Sequence, residues 1–331
     1  MIYMKYFIKT FGCQMNTSDS ERIAAFLEQQ GFSLAEKNKD ADLAIFNTCG
    51  IKQTAENRAY SMINNLRKEN KDVKIIMTGC LANRADVQKR MKKSVDLFTE
   101  IKNFQTSFEK LSLCHPELVS GSSGTYKSGE MLKQVQHDTG YLSIIPKHTN
   151  NFQAYVPIMT GCNNFCSYCV VPHARGREIS RPADEVIDEV KSLIKKGYKN
   201  VILLGQNVNS YASQVHKVRK VHQVHQENSD TIYFPELLKK INSITGKFWI
   251  SYVSSHPKDM SDELIEVTAQ CKKVCEWIHL PLQAGNDEVL RKMNRRYTHD
   301  HYLKLIQKIR SEFKKHKPGI PFSISSDIIV G

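Results

Sequence analysis

Long apolar stretches are missing from this chain, and their absence narrows the class of protein it can be. No run of about 18 apolar residues occurs, which is the length that a membrane-spanning helix needs. The N-terminal segment Met1–Ile8 is too short for a signal peptide and lacks a small-residue cleavage site, so it predicts a first strand. We therefore expect no membrane partner and a cytoplasmic location.

Acidic residues are also few relative to basic ones. The 331 residues include 47 Lys and Arg against 34 Asp and Glu, which gives a net charge of +13. A basic surface favours a polyanionic partner, of which nucleic acid is the commonest, although a merely basic protein is the alternative. The nine cysteines come without a secretory signal, so we expect reduced thiols that are available to metal.

Strand and helix patterns alternate along two parts of the chain, which predicts an α/β fold with parallel sheets. We expect an N-terminal α/β domain over residues 1–111, an insert or linker over 112–150, where turn residues show no period, and a partial (βα) barrel over 151–331. Strands are predicted at 5–10, 43–47, 73–78, 154–159, 200–204, 248–253, 276–280 and 322–328. Helices are predicted at 19–30, 54–67, 84–92, 183–196, 234–244, 260–270 and 299–314.

Three cysteines of the N-terminal domain each follow a predicted strand. They are Cys13, Cys49 and Cys80, each beside Gly or Thr. The carboxyl ends of parallel strands share one edge of a sheet, so cysteines far apart in sequence would gather there. The sequence favours a metal cluster over three unrelated buried cysteines, a common setting for this residue type.

A second cysteine group, Cys162, Cys166 and Cys169, has the spacing C-x3-C-x2-C after a strand-like run. Three thiolates on one short loop can hold a cubic iron–sulfur cluster, and the absence of a fourth nearby cysteine leaves one iron open to a ligand. Zinc is the alternative, but zinc sites usually add a second cysteine pair that this loop lacks.

At this loop the chain resembles radical S-adenosylmethionine enzymes, whose hallmark is this spacing after the first barrel strand. The resemblance implies that the open iron binds S-adenosylmethionine, whose reductive cleavage gives a radical. It also implies that Gly205, Gln206 and Asn207 contact the methionine moiety of that cofactor. No catalytic residue can be assigned from the sequence.

Six blocks resemble the methylthiotransferases within that superfamily: Phe11–Asn16, Cys169–Pro172, Arg175–Pro182, Leu204–Asn209, Ser254–Pro257 and His279–Gln283. This likeness implies a second 4Fe-4S cluster on Cys13, Cys49 and Cys80, and a methylthio group added at carbon 2 of a prenylated adenosine beside the tRNA anticodon. The implied partners are tRNA, an electron donor of flavodoxin or ferredoxin type, and a sulfur source.

Alternatives remain at this point. The acceptor could instead be threonylcarbamoyl-adenosine in tRNA or a ribosomal protein, or the chain could be a non-catalytic iron–sulfur protein that binds RNA. The sequence ends at Gly331, where the family continues, so we expect a barrel that lacks its last strand.

Several basic residues have two interpretations. Arg175, Arg177 and Arg181 fit contacts with the tRNA backbone or the cofactor carboxylate, and equally fit surface ion pairs. Lys292, Arg295 and Arg296 fit phosphate contacts or a solvated face.

Overall fold

The computed structural model describes residues 4–111, 140–214 and 231–330. The chain forms two compact units, one of Met1–Thr149 with His173–Arg175 and the other of Asn150–Pro172 with Gly176–Gly331. Most of the predicted insert, and residues 215–230, lie outside the described residues. The domain boundaries drawn from the sequence stay predictions.

The first unit is built on a five-stranded parallel sheet in the order β2-β1-β3-β4-β5. Its strands are β1 (Lys5–Thr10), β2 (Ser33–Leu34), β3 (Leu43–Thr48), β4 (Lys74–Gly79) and β5 (Leu97–Phe98). Its helices are α1 (Gln14–Gln29), α2 (Gln53–Glu69), α3 (Ala85–Met91) and α4 (Phe104–Glu109). Strand β3 is buried along its whole length, as expected for a central strand covered on both faces.

The stretch from Gly140 to Thr149 belongs to the first unit. Tyr141 and Leu142 are buried in the same core cluster as the aromatic rings of Phe26 and Phe108. Glu21 accepts hydrogen bonds from the backbone N–H and the hydroxyl of Thr149, at 2.9 and 3.0 Å. This end of the predicted insert therefore packs as part of the α/β unit.

The second unit contains a parallel three-stranded sheet in the order β12-β9-β6 and a parallel pair β13-β14. These strands are β6 (Gln153–Pro157), β9 (Asn200–Leu204), β12 (Trp249–Tyr252), β13 (Trp277–His279) and β14 (Ser323–Ser325). Short antiparallel pairs join β7 (Met159–Thr160) to β8 (Ile179–Ser180) and β10 (Ala212–Gln214) to β11 (Thr231–Tyr233). A parallel bridge between Ile250 and Val274 continues the strand order towards β13, which gives a partial barrel.

Helices alternate with these strands. They are α5 (Val171–Arg175), whose last three residues belong to the first unit, α6 (Ala183–Lys195), α7 (Phe234–Asn242), α8 (Asp262–Gln270), α9 (Asp287–Lys292) and α10 (His299–His316). Helix α10 shows the reason for their formation, because Tyr302, Leu305, Ile309 and Phe313 recur at helical spacing and are buried. The side chain of Thr298 caps its first turn by accepting from the His301 N–H.

The predicted fold class is confirmed. The main difference is helix α1, which begins at Gln14 where the sequence predicts a start at Asp19. Its first turns bury polar residues, among them Asn16, Ser18 and Asp19, so no apolar period marks them in the sequence. Because of this earlier start, Cys13 is the N-cap residue of α1.

Candidate metal centres

The structure places Cys13, Cys49 and Cys80 at the carboxyl ends of three adjacent parallel strands. Cys49 directly follows β3, Cys80 directly follows β4, and Cys13 ends the short turn after β1. The turn approaches Cys49 closely, since a Cβ atom added to Gly12 would lie 2.7 Å from Cys49 Cβ and 3.2 Å from its Sγ. The backbone N–H of Cys80 donates to Thr48 O at 2.9 Å.

The buried side-chain amides of Asn16 and Asn47 form a hydrogen-bond network beside these cysteines. Asn16 Nδ2 donates to Asn47 Oδ1 at 3.0 Å and to Thr48 O at 2.9 Å. Asn47 Nδ2 returns a bond to Asn16 O at 2.8 Å and another to Ser20 Oγ at 3.0 Å. The network joins the start of α1 to the end of β3, so it fixes Cys13 relative to Cys49. Asn16 lies in the block Phe11–Asn16 that the sequence singles out. Its contacts with Asn47 and Thr48, however, could not be predicted without the fold.

Arg175 belongs to the first unit and is buried. Its Nη2 donates to Asp19 Oδ2 at 2.7 Å and to Asn16 Oδ1 at 3.3 Å, and the same Asn16 oxygen accepts from Cys13 Sγ at 3.3 Å. Burial raises the pKa of the Cys80 thiol, and the nearby Arg175 charge opposes that rise. Arg175 therefore forms a buried ion pair beside the cysteines, and the surface roles considered from the sequence are wrong for it.

The second cysteine group lies on the loop that follows β6 and β7. Cys162 is buried, whereas Cys166 and Cys169 are half-buried. The backbone N–H of Cys169 donates to Cys166 O at 2.9 Å, which closes the turn between these two residues. Burial raises the pKa of the Cys162 thiol, and the two neighbouring thiols add to that effect.

The turn after α9 holds this cysteine loop in place. Asn294 Nδ2 donates to the carbonyl oxygens of Asn164 at 3.1 Å and Phe165 at 2.9 Å. Ser167 completes the clamp, with its N–H on Met293 O at 3.1 Å and its hydroxyl on Lys292 O at 3.0 Å. This role of Asn294 was not predictable from the sequence, since nothing in the sequence relates the turn to the cysteine loop about 130 residues earlier.

Two further arginines are buried in the second unit. Arg181 Nη1 donates to Glu189 Oε2 at 2.7 Å and to Pro157 O at 2.8 Å, and Arg295 is only 7% exposed. Surface ion pairing is therefore wrong for Arg181, and a solvated face is wrong for Arg295, whereas phosphate contact by Arg295 stays a prediction. Arg177, by contrast, is exposed and lies over the Phe165 ring at 4.4 Å.

A polar cluster forms where the loops after β9 and β12 meet. Asn207 Nδ2 donates to Asp259 Oδ2 at 2.7 Å, and Asn209 Nδ2 donates to His256 O at 3.4 Å. Gly205 lies on the same loop, and a Cβ atom there would meet Met159 Cγ at 2.6 Å, so only glycine allows this approach.

Several buried polar atoms in and beside this polar cluster have no hydrogen-bond partner among the described residues. They are Gln206 Oε1, Asn207 Oδ1, Asn209 Oδ1, Ser255 Oγ and His256 Nε2. An unpaired buried polar atom costs roughly 1–3 kcal/mol, so five together indicate a place for a polar ligand. Gln206 and Asn207, which the sequence predicts to bind cofactor, both belong to this set.

Within the described ranges, no group of three or more His, Cys, Asp or Glu side chains is arranged to hold a metal ion. A cubic cluster places different demands on its ligands, because each thiolate binds its own iron at a separate corner. The assignment of the six cysteines to clusters therefore stays a prediction.

Comparison with known proteins decides the family. Residues 5–100 match the model described as uncharacterized protein family UPF0004, and residues 156–329 match the radical SAM superfamily. A tRNA-2-methylthio-N(6)-dimethylallyladenosine synthase of Syntrophomonas wolfei is 40% identical over 99% of this chain and 68% of its own length. The chain belongs to this radical S-adenosylmethionine synthase family.

A second relative supports the same membership. The synthase of the same name from Clostridium novyi is 39% identical over 100% of this chain and 68% of its own length. The chain thus spans about two thirds of the length of these relatives. Radical S-adenosylmethionine proteins use that cofactor together with a [4Fe-4S] cluster, so the coarse cofactor prediction holds for the family.

Solved structures agree on the fold. The radical S-adenosylmethionine methyltransferase TsrM from Kitasatospora setae, with cobalamin and a [4Fe-4S] cluster bound, superposes with a TM-score of 0.58 at 13% identity. That match covers 99% of this chain and 69% of TsrM. The cobalamin-dependent radical enzyme OxsB also gives 0.58, at 9% identity over 99% of this chain and 49% of OxsB. In the part of the chain that the structure describes, no helix has the length and apolar character to span a bilayer.

Proposed function

We propose that this chain carries out the family's methylthiolation of N(6)-(dimethylallyl)adenosine in tRNA, with one 4Fe-4S cluster on Cys162, Cys166 and Cys169 and another on Cys13, Cys49 and Cys80. The observation that carries the proposal is a group of three cysteines in each unit. In the first unit the three cysteines follow three adjacent parallel strands, and in the second unit they lie on one loop that follows β6 and β7; α/β folds bind their ligands on loops at the carboxyl ends of parallel strands such as β6.

The donor chemistry of both groups fits iron–sulfur clusters. Thiolates are the usual protein ligands of such clusters, and three per group leave one iron for a non-protein ligand. Burial raises the pKa values of Cys162 and Cys80, so iron binding has to displace their protons. The clamp from Asn294 and the amide network of Asn16 and Asn47 would hold the two loops in position.

The chemistry of the unpaired atoms suits S-adenosylmethionine. Gln206 Oε1, Asn207 Oδ1 and Asn209 Oδ1 can accept from an ammonium group, and Ser255 Oγ can donate to a carboxylate. Gly205 keeps the backbone of this loop close to β7. S-adenosylmethionine and the clusters would supply the radical and sulfur-transfer chemistry when bound, and this chain's residues would bind and orient them.

The remaining partners follow from that reaction. The net charge of +13 suits a tRNA substrate. Reductive chemistry requires an electron donor, for which a flavodoxin or ferredoxin is the expected type, and the methylthio group requires a sulfur source. These partners imply a cytoplasmic location.

The test is nucleoside mass spectrometry of tRNA from cells that lack this modification. One strain receives the 331-residue chain, a second receives a chimera that continues with the C-terminal third of the S. wolfei relative, and a third receives the Cys166→Ala chimera. We expect 2-methylthio-N(6)-dimethylallyladenosine in at least one of the first two strains and none in the third. A methylthio group found only on threonylcarbamoyl-adenosine, or no product although both unmodified proteins hold iron, would overturn the proposal.

A further inference from the structure

Arg295 is a buried cation whose surroundings supply no carboxylate. Its Nε donates to Tyr297 Oη at 3.0 Å, its Nη2 donates to Pro281 O at 3.2 Å, and its Nη1 donates to Cys166 Sγ at 3.6 Å. No Asp or Glu among the described residues comes within ion-pairing distance of it. The guanidinium is thus fixed on three sides, and one of those sides is a cysteine of the proposed cluster.

The contact between Arg295 and Cys166 matters because the positive charge of Arg295 needs a neutralising anion. A buried cation is costly unless an anion neutralises it, and the other two acceptors of Arg295 are a neutral hydroxyl and a neutral carbonyl oxygen. The only neighbour of Arg295 in this contact set that can carry a negative charge near neutral pH is Cys166, once it is a thiolate. Although burial alone would lower the pKa of Arg295, its bonds to Cys166 and Tyr297 raise that pKa.

We propose that Arg295 is a positioning residue that pairs with the Cys166 thiolate and raises the reduction potential of the cluster bound at Cys162, Cys166 and Cys169. Reduction adds one negative charge to the cluster, and a fixed cation hydrogen-bonded to a ligand sulfur stabilises that charge. This inference rests on the proposed function, because it requires an iron–sulfur cluster at this loop. It goes further by assigning control of the potential to a particular side chain.

The experiment uses the full chain with Cys13, Cys49 and Cys80 changed to Ala, so that only the second cysteine group can hold iron. After anaerobic reconstitution, a redox titration followed by electron paramagnetic resonance gives the midpoint potential. Arg295→Gln removes the charge and keeps a polar side chain. Arg291→Gln removes an exposed arginine from the adjoining helix α9 and serves as the matched control.

We expect Arg295→Gln to lower the reduced-to-oxidised ratio about tenfold at a fixed potential, which is a downward shift of about 59 mV for a one-electron couple. Arg295→Lys should fall between this variant and the unmodified residue, because it keeps the charge but loses the planar fork. Arg291→Gln should not shift the potential, because exposed charges are screened by solvent and salt.

The failures can be told apart. If the triple-alanine background binds no iron, the proposed function fails. If it binds iron and Arg295→Gln has the potential of the background, the inference alone is overturned. If the Arg295→Gln variant does not hold iron, the potential of the Arg295→Lys variant is used instead. A potential of Arg295→Lys equal to that of the background then overturns the inference.

Discussion

The protonation state of His256 is determined by its position in the fold. Burial, together with the charge of Arg295, lowers its pKa to about 3. The ring is therefore neutral near pH 7. Its Nδ1 accepts from the Lys258 N–H at 3.2 Å, so the proton is on Nε2, which has no partner among the described residues. A neutral histidine thus offers one donor to the polar cluster.

This shift makes stability depend on pH in a definite direction. Between about pH 6.5 and about pH 3 the unfolded chain protonates this histidine and the folded chain does not, so stability falls as the pH falls through that window. His256→Gln cannot take up the proton. Relative to this variant, the unmodified chain should lose roughly 1 kcal/mol on going from about pH 7 to about pH 5.5.

Denaturant unfolding followed by tryptophan fluorescence can measure that difference. Both tryptophans of the chain, Trp249 and Trp277, lie in the second unit, so the signal reports on the unit that contains His256. A stability difference between the two proteins that stays constant across this pH range would show that the ring is not buried in its neutral form.

Buried arginines mark the limit of prediction at the residue scale. The sequence places Arg175, Arg181 and Arg295 in basic, polar segments, where an exposed position is the ordinary expectation. Asp19, the partner of Arg175, and Cys166, the partner of Arg295, are distant in sequence, and only the fold brings these pairs together. Glu189, the partner of Arg181, is close to it in sequence. The six cysteines could be singled out from their spacing and strand ends, but not the residues that support them.

At the scale of elements, the turn between β1 and α1 depends on Gly12. Its φ of +116° is a conformation that side chains rarely adopt, and a Cβ atom there would lie 2.7 Å from Cys49 Cβ. We expect Gly12→Ala to displace Cys49 and to remove the N-terminal iron, leaving about four of about eight irons per chain. Iron and sulfide analysis after anaerobic reconstitution measures this loss.

Gly197 provides a matched control for that variant. Its φ is +94°, but a Cβ atom there would have no heavy atom within 4 Å, so Gly197→Ala brings similar backbone strain without a collision. It should keep the iron content of the unmodified chain. Retention of full iron content by Gly12→Ala would contradict the close packing of this turn against Cys49.

Elements with a strong apolar period were predictable, and those without one were not. The bounds of β1, β3 and α10 lie within two residues of their predicted positions, because their buried residues follow a strand or helix period. The two-residue strands β2 and β5 and the short helix α9 were not predicted from the sequence, because segments this short have too few residues to show a period. Helix α9 matters functionally, because the turn that clamps the cysteine loop follows it.

At the scale of the whole molecule, the sequence motifs were sufficient to predict the family, and the relatives at 40% and 39% identity confirm it. Fold class followed from the alternation of strands and helices. The number of clusters did not follow from either, because it depends on whether both cysteine groups hold iron. If both groups hold a cluster, the proposed reaction is divided between two sites.

The iron and sulfide content of the anaerobically reconstituted chain shows whether both cysteine groups hold a cluster. We expect about eight irons and eight sulfides for the unmodified chain, and about four of each when either Cys13, Cys49 and Cys80 or Cys162, Cys166 and Cys169 are changed to Ala. About four irons in the unmodified chain, with no loss on changing one of the two groups, would contradict the assignment of two clusters, as would zinc in place of iron.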